Sequence, residues 1–141
     1  MFIKLEKDLE NLGFEKEVHI LEYKYIVDKG LVEGKADELF AKFKKKDELA
    51  DDKYEIIKYL RDHKYITRFS KDSEYIRIYQ KGIRIGEDRT MFVMKVVEDI
   101  KEAGLKDLRV AKSLRKQLVI VQYNKEENRP RFYRLDEITF D

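Results

Sequence analysis

The stretch KDLRVAKSLRKQLVIVQY, residues 106–123, decides the fold because its pattern changes near Lys116. Before that point Leu108, Ala111 and Leu114 recur every three residues, as on the inward face of a helix. After it comes the uninterrupted apolar run 118–121, which is typical of a strand. The stretch therefore predicts a helix over about 106–116 that leads into a strand over 118–123.

Alternating patterns surround this helix and predict a sheet. The additional strands are expected over residues 65–69, 74–80, 90–97 and 131–138. In the second of these, Tyr75, Arg77 and Tyr79 share one face, whereas Ile76 and Ile78 share the other. The strand over 90–97 is apolar enough to be covered on both sides.

Helical patterns dominate the first part of the chain. Three helices are expected, over about 17–29, 35–44 and 51–62, the first ending at Gly30 and the last beginning at Asp51 and Asp52. The segment between the last two predicts a boundary, which divides the chain into a small N-terminal α/β unit, 1–50, and a C-terminal α/β unit, 51–141. The fold class is mixed α+β.

Composition excludes several classes of protein. The chain has 31 Lys and Arg against 29 Asp and Glu, and it has two histidines and no cysteine. These counts exclude a thiolate zinc site and a histidine-rich metal centre, so no metal or cofactor is expected. Dense and nearly balanced charge resembles the composition of thermophile proteins.

Membrane insertion is not expected either. The longest apolar runs have four residues, far fewer than the ~20 that span a bilayer. Charged residues follow directly after residue 5, unlike the apolar core of a signal peptide. We therefore expect a cytoplasmic protein.

Three cations recur along the predicted helix, Arg109, Lys112 and Lys116. Such a basic helix face suits the phosphate backbone of a nucleic acid. The alternative is a solvated face whose cations pair with surface carboxylates. The sequence leaves both interpretations open.

Other chemistry-bearing residues also have two interpretations. Tyr79 ends a predicted strand near cations, where it acts as a base or packs as most tyrosines do. His19 and His63 lie at helix ends, positions typical of capping or surface histidines. The pair Glu87 and Asp88 gives only a weak signal for a hard metal ion.

Four segments, in order, resemble the archaeal tRNA-splicing (tRNA-intron) endonuclease family. They are GFEKEVHILEYKYIVDKG (13–30), YEIIKYLRDHKYI (54–66), IYQKGIRIGEDRTMFVM (78–94) and RVAKSLRKQLVIV (109–121). Glu22 and Tyr25 belong to the family pattern in the first segment, and Arg61 to that in the second, where Lys64 replaces the usual glycine. The resemblance implies a tRNA-intron-endonuclease-like fold over nearly the whole chain.

The resemblance implies RNA cleavage without a metal by a tyrosine, a histidine and a lysine, which leaves a 2′,3′-cyclic phosphate. Tyr79 and Lys116 fall on the tyrosine and lysine positions, but Arg89 occupies the histidine position. Arginine does not release a proton near neutral pH. The chain therefore resembles a structural, non-catalytic subunit whose partner supplies the histidine.

The resemblance also implies an assembly of four units, here a heterotetramer of two plus two chains that binds precursor tRNA. The expected contacts are the last strand, with Phe132, Leu135 and Ile138, and the turn that carries Glu126 and Glu127. Two alternatives remain: a self-sufficient RNA endonuclease that uses Tyr79 and Lys116, and an RNA-binding module without an endonuclease partner.

Overall fold

The computed structural model describes residues 1–80 and 90–140. In chain order the elements are β1 (Phe2–Lys4), a 3-10 helix (Glu10–Leu12), β2 (Glu17–His19), α1 (Ile20–Asp28), α2 (Ala36–Lys44), α3 (Ala50–Asp62), β3 (Ile66–Ser70), β4 (Ser73–Tyr79), β5 (Thr90–Val96), a second 3-10 helix (Ile100–Glu102), α4 (Leu105–Ser113), β6 (Gln117–Asn124) and β7 (Arg129–Leu135). The fold is mixed α+β, as the sequence predicts.

A five-stranded sheet in the order β3-β4-β5-β6-β7 forms the centre of the molecule. Neighbouring strands are antiparallel except β5 and β6, which are parallel. Parallel neighbours need a crossover connection, and α4 lies in that connection. A separate two-stranded sheet pairs β1 with β2.

The two faces of the five-stranded sheet belong to different apolar cores. Ile76, Ile78, Met94, Val119 and Val121 pack in the larger core with side chains of α1, α2 and α3. The opposite side chains of the same strands, Tyr75, Val93, Leu118 and Ile120, pack in a smaller core with α4. Both the alternation predicted for β4 and the two-sided burial predicted for β5 are confirmed.

A buried ion pair joins α1 to α3. The Arg61 guanidinium donates to the Glu22 carboxylate at 2.9 Å, and the Thr67 hydroxyl donates to the same oxygen at 2.8 Å. Both members of the pair are about 5% exposed. Glu22 and Arg61 thus link the first two segments on which the family resemblance rests.

Arg61 extends this network to two further parts of the chain. It donates to the carbonyl oxygens of Leu12 and Gly13 and to that of Thr67 at 3.0 Å. Its guanidinium carbon lies 3.8 Å from the centre of the Phe14 ring. One buried side chain therefore fixes the segment before β2, the end of α3 and the start of β3.

Three helices are each followed, two residues after their last residue, by a residue with left-handed backbone. Gly30 follows α1 with φ 73°, as predicted, whereas Lys64 and Arg115 take this conformation after α3 and α4. Lys64 has φ 70° at the position where the family usually has glycine, a conformation that favours glycine. After α4, the Lys116 N–H bonds the Ala111 carbonyl across the turn.

Several predicted boundaries are therefore wrong. The helix predicted to reach residue 116 ends at Ser113, and Leu114, predicted to face the core, is 39% exposed beyond it. The first helix begins at Ile20 because Glu17–His19 pairs with β1. The last strand ends at Leu135, which leaves Ile138 outside it and 73% exposed.

In the described ranges, no helix has the length and apolar character needed to cross a membrane.

We predict that Glu22→Ala lowers the free energy of unfolding by about 3–5 kcal/mol, because Arg61 is left buried without its counter-ion. Denaturant unfolding measures the change. Glu33→Ala, at an exposed residue in the segment before α2, is the matched control and changes stability by less than about 0.5 kcal/mol. Equal losses in the two variants would contradict the role given to the ion pair.

Candidate functional site

One end of the five-stranded sheet carries the residues singled out by the sequence. Tyr79, at the end of β4, is in register with Thr90 at the start of β5. Phe92 is in register with Gln117, the first residue of β6 and the neighbour of Lys116. The topology therefore brings Tyr79 and Lys116 to the same end of the sheet, on strands separated by roughly 9.5 Å.

Tyr79 is packed at this end of the sheet. It is 6% exposed, and it follows an irregularity in the ladder between Ile78 and Tyr79. The Arg68 guanidinium carbon lies 5.0 Å from the centre of its ring. A buried ring against a guanidinium fits the packing interpretation of this tyrosine better than that of an exposed base.

Three candidate residues in the segment before β5 lie outside the described residues: Glu87, Asp88 and Arg89. The chemical argument about Arg89 rests on the sequence alone. A guanidinium keeps its proton at any physiological pH, so it binds phosphate charge but does not act as a general acid.

The basic residues after Leu108 do not form one helix face. Arg109 and Lys112 are exposed on α4, but Lys116 follows the left-handed turn at Arg115. The prediction of three cations on one helix face is thus wrong, because the helix stops before the third. Lys112 forms an ion pair with Glu137 at 3.3 Å, as the solvated-face alternative anticipates.

A cavity of about 370 Å³ lies where α4, the start of β6 and the segment after β7 meet. Lys112, Arg115 and Lys116 line it together, with Leu118 and Leu135 on its apolar wall. Arg115 was not among the candidate residues, although it adjoins Lys116 in the family-like segment. The cavity therefore brings these three cations together with the carboxylate residues Asp136 and Glu137.

A polar contact beneath α4 holds this helix to the sheet. The Asp107 carboxylate accepts hydrogen bonds from the Tyr75 hydroxyl at 2.6 Å, the Lys95 ammonium at 3.1 Å and the Gly104 N–H at 3.0 Å. Burial alone would raise the pKa of Asp107, but these bonds outweigh it and lower the pKa. Burial and the bond to Asp107 raise the pKa of Tyr75.

The proposed contact residues on the last strand point in different directions. Phe132 is 39% exposed, and its ring centre lies 5.8 Å from that of Tyr59 on α3. Leu135, three residues later, packs in the opposite core under α4. Phe132 and Leu135 therefore do not form one contact surface on this strand, since an odd spacing changes face.

The turn between β6 and β7 is less acidic than its sequence indicates. Glu127 accepts hydrogen bonds from Arg131 and, at 3.1 Å, from Arg129, and the bond from Arg131 is the main reason that its pKa is lowered. Glu126 is exposed and forms no ion pair with any described residue. Only Glu126 thus presents an uncompensated carboxylate there.

Both histidines have structural roles. The His19 imidazole accepts a hydrogen bond from the Leu21 N–H at 3.2 Å and stacks on Phe69, and burial is the main cause that lowers its pKa to about 3. His63 follows α3, with its Nδ1 2.7 Å from the Tyr59 carbonyl oxygen. The capping and surface roles predicted for them are confirmed.

A mixed sheet with a crossover helix, and a tyrosine and a lysine at one end of it, are the features expected for the family that the motifs indicated. A scan of protein-family models finds no match to this chain. A curated protein of Thermococcus onnurineus (strain NA1), named tRNA-splicing endonuclease, is 28% identical over 133 residues, which cover 86% of this chain and 75% of the relative. Over most of its length the chain is thus similar to a protein named tRNA-splicing endonuclease, in agreement with the family resemblance of its motifs.

We predict that Asp107→Asn lowers the free energy of unfolding by about 1–3 kcal/mol at pH 7, because the bonds from Tyr75 and Lys95 lose their charged acceptor. The pKa of Asp107 is lowered in the folded protein, so its contribution is complete above the ordinary aspartate pKa of about 3.9. That contribution disappears as the pH falls through the folded value.

Unfolding measured from pH 7 to pH 2.5 checks this dependence. Wild type and Asp107→Asn should converge in acid, whereas Asp72→Asn, at an exposed turn residue, should follow wild type throughout. A difference between wild type and Asp107→Asn that is independent of pH would contradict the electrostatic explanation.

Proposed function

We propose that this protein is a structural subunit of a heteromeric tRNA-splicing endonuclease, which binds and positions intron-containing precursor tRNA for a histidine-bearing partner chain. One observation carries the proposal: the chain keeps a tyrosine and a lysine at one end of the sheet but has Arg89 at the histidine position. The name of the Thermococcus relative supports the tRNA-splicing role.

The missing proton donor is the reason for a non-catalytic role. Cleavage at a ribose 2′-hydroxyl needs a base for that hydroxyl and an acid for the leaving 5′-oxygen, and a positioned acid contributes typically ~10²–10⁴-fold. Arg89 cannot be that acid. The burial of Tyr79 also restricts its access to a ribose, which favours packing over catalysis.

The cations around α4 are the proposed contact with RNA. Arg109 and Lys112 are exposed on the helix, and Lys116 lies beside Arg115 at the cavity. Each phosphate that such cations neutralise releases counterions from the nucleic acid, so binding becomes weaker as salt rises. A nearly neutral protein can bind RNA in this way because its cations are concentrated locally.

The β7 side is the proposed contact with the partner. Within the described residues β7 is the last strand of the sheet, and an edge strand offers unpaired backbone groups to another chain. The exposed Phe132 next to Tyr59 adds apolar surface, and Glu126 adds an exposed carboxylate at the adjoining turn. A heterotetramer of two plus two chains follows the pattern implied for the family.

The test is cleavage of an intron-containing precursor tRNA in EDTA, by the chain alone and after mixing with a histidine-bearing family chain. We expect no cutting by the chain alone, and faster cutting by the mixture than by the partner alone. Tyr79→Phe should leave the rate of the mixture unchanged, since the partner supplies the chemistry.

Robust cutting by the homogeneous chain, abolished by Tyr79→Phe, would contradict the structural-subunit role and favour the self-sufficient nuclease. Salt-sensitive RNA binding without any effect on the partner would instead favour the isolated RNA-binding module. The Lys42→Gln variant is the control for the mixing step. It should increase the partner's cutting rate as wild type does, because Lys42 is exposed on α2, away from the proposed contacts.

A further inference from the structure

Two arginines oppose each other on the sheet. Arg68 on β3 and Arg77 on β4 are register partners in the antiparallel ladder. Side chains at such positions share a face, with Cβ atoms about 4.5–5.5 Å apart. Like charges placed directly opposite each other repel, so this pair costs stability unless an anion binds to it.

The arginine pair lies on the same side of the sheet as α4. On its other side, Arg77 is in register with Val93 of β5. Val93 is buried in the smaller core, together with Ala111 of α4. Because residues in register share a face, Arg68 and Arg77 lie on the same side of the sheet as the cations of α4.

The local carboxylates do not neutralise the pair. Arg68 has an ion pair with Glu15 at 3.0 Å, but half of the Glu15 side chain is exposed. The Nε of Arg68 is buried without a hydrogen-bond partner. The Arg77 guanidinium forms no ion pair or side-chain hydrogen bond with the part of the chain that the structure describes, so those residues leave a net positive charge on the pair.

The packing of Arg68 makes the pair a defined site. Its guanidinium lies over the Tyr79 ring, 5.0 Å from the ring centre, and Glu15 holds one of its edges. Such stacking leaves other N–H donors of the guanidinium plane available to an anion. Two guanidinium groups on one face match the several acceptor oxygens of a phosphate.

We propose that Arg68 and Arg77 bind a phosphodiester group of single-stranded RNA beside Tyr79. This rests on the proposed function, because precursor RNA is the ligand. The contact fixes the RNA backbone over β3 and β4, while the α4 cations hold it on the neighbouring part of the same side. The strand would then pass the end of the sheet where Tyr79 and Lys116 lie.

The test measures binding of a fluorescein-labelled single-stranded oligoribonucleotide over a range of salt concentrations. Arg77→Gln should weaken binding about tenfold at low salt and reduce the slope of log K against log salt by about 0.7, the value for one phosphate contact on a single strand. Arg77→Lys should fall between Arg77→Gln and wild type, because ammonium lacks the guanidinium fork.

Lys42→Gln is the matched control, since it also removes one positive charge but from α2, on the opposite side of the sheet. Its affinity should stay within twofold of wild type. Thermal unfolding of each variant verifies that Arg77→Gln is folded. Inorganic phosphate, compared with chloride at equal ionic strength, should displace the labelled RNA from the wild-type protein more strongly than from Arg77→Gln.

The outcomes separate this site from the function on which it rests. Wild-type affinity in Arg77→Gln, together with weaker binding by the Arg109→Ala, Lys112→Ala double variant, would overturn the arginine site alone. A second outcome would also overturn it: Arg77→Gln binds RNA as tightly as wild type but loses the effect of inorganic phosphate. The site would then bind free phosphate only. No RNA binding by the wild-type protein would overturn the proposed function itself.

Discussion

The ion pair between Glu22 and Arg61 is the interaction on which the other elements depend. Its desolvation costs several kcal/mol, and the pair is tolerated because the two terminal nitrogens of Arg61 and the Glu22 carboxylate have hydrogen-bond partners, although the Arg61 Nε has none. Arg61 reaches Glu22, two carbonyls before β2 and the carbonyl of Thr67. It thereby sets how α1, α3 and the first strand of the sheet meet, and the apolar core forms around that arrangement.

A second polar contact fixes α4 on the other face of the sheet. Asp107 connects α4 to Tyr75 and Lys95, which lie on β4 and β5. The carboxylates that hold the fold are thus consumed in buried contacts. Exposed cations such as Arg109 and Arg115 remain at the surface of a chain whose net charge is only +2. The proposal of an RNA ligand therefore depends on where the cations lie and not on the net charge of the protein.

Local patterns account for what the sequence predicted well. The alternation of β4, the apolar β5 and the glycine after α1 depend on neighbouring residues, which the sequence displays directly. The sequence does not display the end of α4 at Ser113, because a non-glycine residue, Arg115, takes the left-handed conformation after it. β2 was absorbed into a predicted helix, because its three residues have no period and pair with distant β1.

The candidate site also has a part that the sequence predicts and a part that depends on the pairing of distant strands. The sequence singles out Tyr79 and Lys116 by their local context, and the family resemblance implies their roles. Their common end of the sheet follows from the pairing of β5 with β4 and β6. The opposition of Arg68 and Arg77 depends on the register of a hairpin, and one shifted residue would separate them. The faces of Phe132 and Leu135 likewise required the observed strand geometry.

The most direct measurement is native mass spectrometry of this chain mixed with a histidine-bearing family chain and precursor tRNA. The account predicts a complex that holds equal numbers of the two chains, two of each, with the RNA bound. A chain that forms only homo-oligomers, and stays separate from the histidine-bearing chain in the presence of RNA, would contradict the role of a structural subunit.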